Sequence, residues 1–163
     1  IIILLKLLIR RILLMAAPKV KVRVMYSTKK AKVKTFATAI AEAFKCIVND
    51  VPPAYPCDKE RVVFIGMTIK DAPTDQLRLF CRELTPQRAY NVALFVDGPK
   101  KEDNKGLQTI IETLKEAGTN VLEDDIYYVN GGPAIFGGKK ISLEERTQIV
   151  RWADAVVAKV SEK

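Results

Sequence analysis

The chain has 163 residues, room for one domain with a full core and too few for two ordinary ones. With 48% apolar and 28% charged residues it reads as globular rather than disordered. Its formal net charge of +8 suits an anionic ligand, partner or surface, and the lack of any histidine excludes Ser-His-Asp triads, Cys-His pairs and histidine metal sites.

Residues 1–14 read IIILLKLLIRRILL, with positive charges at Lys6, Arg10 and Arg11. The segment falls short of the about 20 residues that a spanning helix needs. A secretory signal places its charges ahead of its apolar run, not inside it. Two readings stand for it. One is an upstream extension or gene-model artefact ahead of a natural start at Met15. The other is a helix lying on a membrane surface, with Lys6 and Arg10 on one stripe. Membrane contact follows only from the second, and the folded domain is expected over residues 15–163.

Residues 20–26 alternate charged and apolar side chains and then run apolar, which predicts a first strand. The polar loop Ser27-Thr28-Lys29-Lys30-Ala31-Lys32 follows. A helix is expected over 33–44, with Val33, Phe36, Ala37, Ile40, Ala41 and Phe44 on one face. Residues 45–49 form a short second strand, closed by a proline-rich loop at 52–56. Residues 61–67 are a continuous apolar run, the mark of a central parallel strand buried on both faces. Pro73 then opens a helix with Leu77, Phe80, Cys81 and Leu84 on one stripe, ended by Thr85-Pro86.

The next strand is 91–97, followed by the polar loop 98–103. Leu107, Ile110, Ile111 and Leu114 mark another helix, which Gly118 stops. A fifth strand lies within 121–129 and is placed at 126–129. Gly131-Gly132 and Gly137-Gly138 frame a loop, Ala134-Ile135-Phe136, that leads to the last helix. Ser142-Leu143-Glu144-Glu145 is a capping box that opens that helix, and Ile149, Ala153, Val156, Val157 and Val160 form its buried face. Trp152 flanks this face and reads as packing. Cys46, Cys57 and Cys81 are too dispersed for a zinc site or a disulfide framework and suit a reducing cytoplasm, with Cys46 and Cys81 expected as buried thiols.

Strands alternating with helices in this way give an α/β chain with a parallel sheet covered on both faces. Ligands in such sheets bind at the carboxyl ends of the strands. The loops 27–32, 68–72 and 97–101 are therefore the candidate site. The lysines of the first loop read as a phosphate site at a helix N-terminus, against the plain alternative of a solvated basic turn. Asp71 and Asp97 face a similar choice between ligand contact and turn capping.

At these loops the chain resembles the short-chain flavodoxin family. The likeness rests on Val24-Met25-Tyr26-Ser27-Thr28 with Phe36-Ala37-Thr38-Ala39-Ile40-Ala41-Glu42, on Val62-Val63-Phe64-Ile65-Gly66, and on Ala93-Leu94-Phe95-Val96-Asp97-Gly98. Leu114-Lys115-Glu116-Ala117-Gly118-Thr119-Asn120-Val121 and Arg151-Trp152-Ala153 extend it along the chain. The resemblance implies a flavodoxin-like three-layer sandwich with a five-stranded parallel sheet of order 2-1-3-4-5. It also implies non-covalent FMN and electron transfer, one electron at a time, between redox proteins.

In the family's phosphate-loop pattern, T/S-x-T-G-x-T, Thr28 takes the first hydroxyl position and Ser27 lies beside it. Lys30, Ala31 and Val33 stand at the second threonine, the glycine and the last threonine. Lys29, Lys30 and Lys32 then supply charge directly to the phosphate. Flavin contacts fall on Thr68, Ile69, Lys70 and Asp71 in the second loop and on Asp97, Gly98 and Pro99 in the third. Met67, Ile69 or Tyr55 is left to pack against the ring. Family members are usually acidic, so this basic chain is expected to hold a more easily reduced flavin and to meet acidic partners.

Other α/β functions lack their residues. A phospho-accepting receiver domain needs acids where Ser27-Thr28 and Met67-Thr68 stand. No G-x-G-x-x-G or G-x-x-x-x-G-K-[ST] is present, and the lysines are not interleaved with aromatics as in nucleic-acid binders. Two functions remain as expectations. One is an FMN-binding cytoplasmic electron carrier rather than a stand-alone enzyme. The other is a flavodoxin-like module without FMN that binds another phosphorylated ligand or an acidic partner.

Overall fold

The computed structural model describes residues 1–16, 20–132 and 138–161, the first segment with side chains only as far as Arg10. In chain order, α1 (Ile2–Ala16) precedes β1 (Val22–Ser27), α2 (Ala31–Phe44), β2 (Val48–Asp50) and β3 (Val62–Thr68). Next come α3 (Asp75–Arg82), β4 (Asn91–Asp97), α4 (Lys105–Ala117), β5 (Asn120–Val121), β6 (Tyr127–Tyr128) and α5 (Leu143–Ser161). All pairings are parallel and the order is β2-β1-β3-β4-β5, the order expected from the sequence.

The fifth position in the sheet differs in detail from the expected single strand. Both β5 and β6 pair with β4, the first at Asn91 and Val92 and the second at Phe95 and Val96. One edge strand is thus interrupted by a 3-10 turn at Glu123–Asp125. Three acidic residues do not suit the strand interior. Leu122 turns into the core instead, and the Asp125 carbonyl accepts a hydrogen bond from Trp152 Nε1 at 2.8 Å.

β3 is continuously apolar because it has no solvent face. Its Val62 and Phe64 point to the layer of α2 and α5, and Val63, Ile65 and Met67 to the layer of α3 and α4. The α5 layer holds an aromatic cluster. Trp152 meets Phe64 edge-on at 5.6 Å and Phe95 edge-on at 6.3 Å, and Phe44 stacks on Phe64. Trp152 therefore packs α5 onto the sheet, as expected of it. Such aromatic contacts add about 1 kcal/mol each beyond the area they bury.

Helix ends follow their sequence signals. The capping box closes, with Ser142 N donating to Glu145 Oε1 and Glu145 N donating to Ser142 Oγ, both at 3.0 Å. Gly118 takes the left-handed conformation that ends α4. Pro73 stands just ahead of α3 rather than in it, and Thr74 caps the helix through Leu77 N. Of the two thiols expected inside, Cys81 is buried and Cys46 is only half-buried, because it lies just beyond the left-handed end of α2 at the sheet edge. Cys57 is the second buried thiol, and burial pushes the Cys81 thiol up to about 12.

A helix does form in the N-terminal segment. From Ile1 to Ile9 its large apolar side chains are exposed, and none of them joins either core cluster. No helix among the described residues is long and apolar enough to cross a membrane. Deleting residues 1–16 is expected to change the unfolding free energy by less than about 0.5 kcal/mol in a denaturant titration. A loss of about 2 kcal/mol would instead place α1 against the body.

Candidate functional site

The site is built where β1, β3 and β4 end side by side. The register pairs Ser27 with Met67 and Thr68 with Asp97, so the three loops leave the sheet at one level. In the first loop Lys30 N donates to Thr28 Oγ1 at 3.0 Å, a tight turn that delivers the chain into α2. Lys30 is the extended N-cap residue of α2 and makes no side-chain cap bond. The N–H groups of Ala31 and Lys32 then have no intrahelical acceptor, and the positive end of the helix faces the carboxyl edge. Val33 points the other way, fully buried, and its N–H bonds to the Lys30 carbonyl.

The second and third loops are locked to each other through backbone. Ile69 N donates to the Asp97 carbonyl, and Asn104 Nδ2 donates to the carbonyls of both Ile69 and Pro99 at 3.0 Å. The same Asn104 caps α4 by accepting from Leu107 N. A Cβ on Gly98 would stand 2.1 Å from the Ile69 carbonyl oxygen, so only glycine allows this approach. A Cβ on Gly106 would press on Ile69 Cγ1 at 2.6 Å. Asn104, Gly98 and Gly106 thus hold the loops in place. No motif in the sequence marks Asn104 or Gly106 as part of the site, although Asn104 precedes the helix in an N-cap position.

Asp97 is the hub of the site. Its Oδ2 accepts from Thr68 Oγ1 at 3.1 Å and from Lys30 Nζ at 2.8 Å, and its Oδ1 accepts from Gly131 N at 3.2 Å. Thr28 and Thr68 hydroxyls lie 2.7 Å apart. Because Thr68 donates to the carboxylate, Thr28 must donate to Thr68. The result is a chain of hydroxyls, Thr28 to Thr68 to Asp97, that Lys30 closes into a ring through its own backbone and side chain. Asp97 therefore bridges three loops rather than capping one turn. Gly131 is needed there, since a Cβ on it would lie 2.3 Å from Asp97 Oδ2.

Two of the three loop lysines already have carboxylates. Lys30 pairs with Asp97, and Lys32 Nζ lies 3.1 Å from Glu145 Oε2 in the capping box of α5. The Ser142 N–H, and then Lys32, hold the Glu145 carboxyl below its ordinary range. Lys29 is exposed and makes no ion pair among the described residues.

The remaining expected residues scatter. Ser27 is half-buried at the end of β1, and Lys70 and Asp71 are exposed in the second loop. Ile69 and Met67 are both in the α3–α4 core and present no face to a ligand. Tyr55 is 78% exposed on the loop after β2, where its carbonyl accepts from Arg23. Tyr128, which no sequence motif ties to the site, is half-buried beside the third loop, and its hydroxyl accepts from Lys101 N at 2.8 Å. Residues 133–137, including Ala134-Ile135-Phe136 of the glycine-framed loop, lie outside the described residues.

The arrangement fits a phosphate better than a flat ring. At the α2 end stand unbonded helix N–H groups with Thr28, Lys29 and Lys30. At the β4 end stand Thr68, Gly98, Pro99 and backbone, with no aromatic side chain among them. A separate cavity of about 280 Å³ lies between the proline loop and α3, lined by Pro52, Pro56, Cys57, Leu79, Phe80 and Arg88, and no site residue borders it.

No family model matches the chain, and no curated protein does. Solved structures do. Flavodoxin 2 from Bacillus cereus superposes with a TM-score of 0.60 at 13% identity, covering 85% of this chain and 99% of that one. A short-chain flavodoxin associated with a non-canonical PDU bacterial microcompartment gives 0.58 at 12% identity, covering 86% and 99%. A flavodoxin from the domain Archaea gives 0.55 at 12%, with the same coverage. The chain has the flavodoxin fold.

Proposed function

We propose that this chain binds FMN non-covalently at the carboxyl edge of β1, β3 and β4 and carries single electrons between redox proteins. The observation that carries the reading is the N-terminus of α2. It has no side-chain cap, it stands at the end of the first strand of a 2-1-3-4-5 sheet, and Thr28, Lys29 and Lys30 surround it. Dipole, unbonded N–H groups and lysine charge all favour an anion at that point.

The redox chemistry belongs to the flavin when bound. The protein's share is to hold the phosphate on Thr28, Lys29, Lys30 and the N–H groups of Ala31 and Lys32. Lys32 adds positive potential from the flank while paired to Glu145. Thr68, Gly98 and Pro99 border the ring. The net charge of +8 favours added negative charge on a reduced cofactor and an acidic docking partner.

Titration of the purified protein with FMN tests the reading. Saturable quenching of flavin fluorescence is expected, with riboflavin, which lacks the phosphate, binding far more weakly. A colourless protein that leaves FMN fluorescence unchanged would overturn it. The module without FMN has no specific observation in its favour beyond the polar ring end, and that outcome would be its support.

A further inference from the structure

Resting on the FMN reading, we infer that Asp97 is a built-in counterion that holds the place of the ligand's phosphate, so that binding proceeds by anion exchange at Lys30. Lys30 and Thr28 are the two side chains of the first loop best placed to grip a phosphate. Both are already spent. Lys30 Nζ lies 2.8 Å from Asp97 Oδ2, and the Thr28 proton is directed through Thr68 toward the same oxygen. The pair is largely shielded, with side-chain exposures of 23% for Lys30 and 12% for Asp97, so it is worth more than a solvated surface pair.

An incoming phosphate must therefore take Lys30 from a carboxylate. A phosphate monoester carries up to two charges and three acceptor oxygens, against one charge and two oxygens on Asp97. It can accept from Lys30, from Thr28 and from the N–H groups of Ala31 and Lys32 together, which the carboxylate does not. Ligands lacking the phosphate have nothing to exchange and leave the ring of bonds closed. Asp97 keeps Gly131 N and Thr68 as partners after the exchange, so its charge is not stranded. Asp97 thus weakens the phosphorylated flavin by competition and leaves the unphosphorylated one untouched, so it moderates the preference that Lys30, Thr28 and the helix N–H groups supply.

The test is FMN and riboflavin titration of the wild type, Asp97→Asn, Lys30→Met and the double variant. Asparagine keeps an acceptor for Gly131 and removes the competing charge, and a thermal melt checks that each variant folds. Asp97→Asn is expected to tighten FMN about fivefold and to leave riboflavin unchanged. In the Lys30→Met background the same substitution is expected to lose most of that gain. If FMN binds the wild type and Asp97→Asn leaves affinity unchanged or weaker, the competition is overturned while the FMN reading stands. If the gain persists without Lys30, Asp97 repels the phosphate directly and the exchange is wrong. If neither wild type nor Asp97→Asn takes up FMN, the FMN reading itself fails.

Discussion

Replacing Gly66 by alanine is expected to destabilise the fold by about 3 kcal/mol, the upper range for overpacking a dense core. Gly66 sits in the middle of β3, with Tyr26 opposite it in register on one side and Phe95 on the other. The Phe95 ring lies directly over it, and an added Cβ would meet the ring at 2.1 Å and 2.2 Å. The ring has no free direction of retreat. Phe95 is fully buried, and Trp152 stands edge-on to it with an interplanar angle of 71°. The effect must therefore reach α5 and the aromatic cluster. Trp152 is the sole tryptophan, so its fluorescence in a denaturant titration reports both the stability and the packing. A loss under about 1 kcal/mol would show that the ring repacks without cost.

The second large effect is on binding. The double substitution Lys29→Ala, Lys30→Ala is expected to weaken FMN about a hundredfold, or ~2.7 kcal/mol, in a fluorescence titration. On the proposed reading, the substitution takes two charge-assisted contacts from the phosphate at once. Stability should fall far less, by about 1 kcal/mol, because only one partly shielded ion pair is lost. Unchanged FMN affinity would show that neither lysine is a phosphate ligand. A large loss of stability with little change in affinity would make Lys30 structural instead.

Much of the fold was legible because the decisive signals are local. The alternation in β1, the two-sided apolar run of β3 and the capping box of α5 each follow from a few neighbouring residues. The sheet order then follows from the resemblance these segments carry. The interrupted edge strand was not legible in the same way. Its two short pieces depend on β4 for pairing and on Trp152, far along the chain, for the bond that fixes the Asp125 turn.

The site divides along the same line. Thr28, Lys29 and Lys30 lie in one loop at one helix end, and sequence spacing is enough to place them together. What Lys30 and Asp97 do to each other is a matter of tertiary contact, over 67 positions in the chain. Gly131 N completes the carboxylate's shell from still further on. Ile69 and Met67 illustrate the reverse failure. Met67 precedes the second loop and Ile69 lies in it, and both look available to a ring, yet strand alternation and the Gly98–Ile69 approach turn them into the core.

The central claim is a phosphate-anchored flavin on the first loop, and equilibrium binding of FMN to the purified chain tests it most directly. Flavin fluorescence should quench to saturation at one FMN per chain, with riboflavin binding far more weakly under the same conditions. No quenching at any FMN concentration, or equal affinity for FMN and riboflavin, would contradict it.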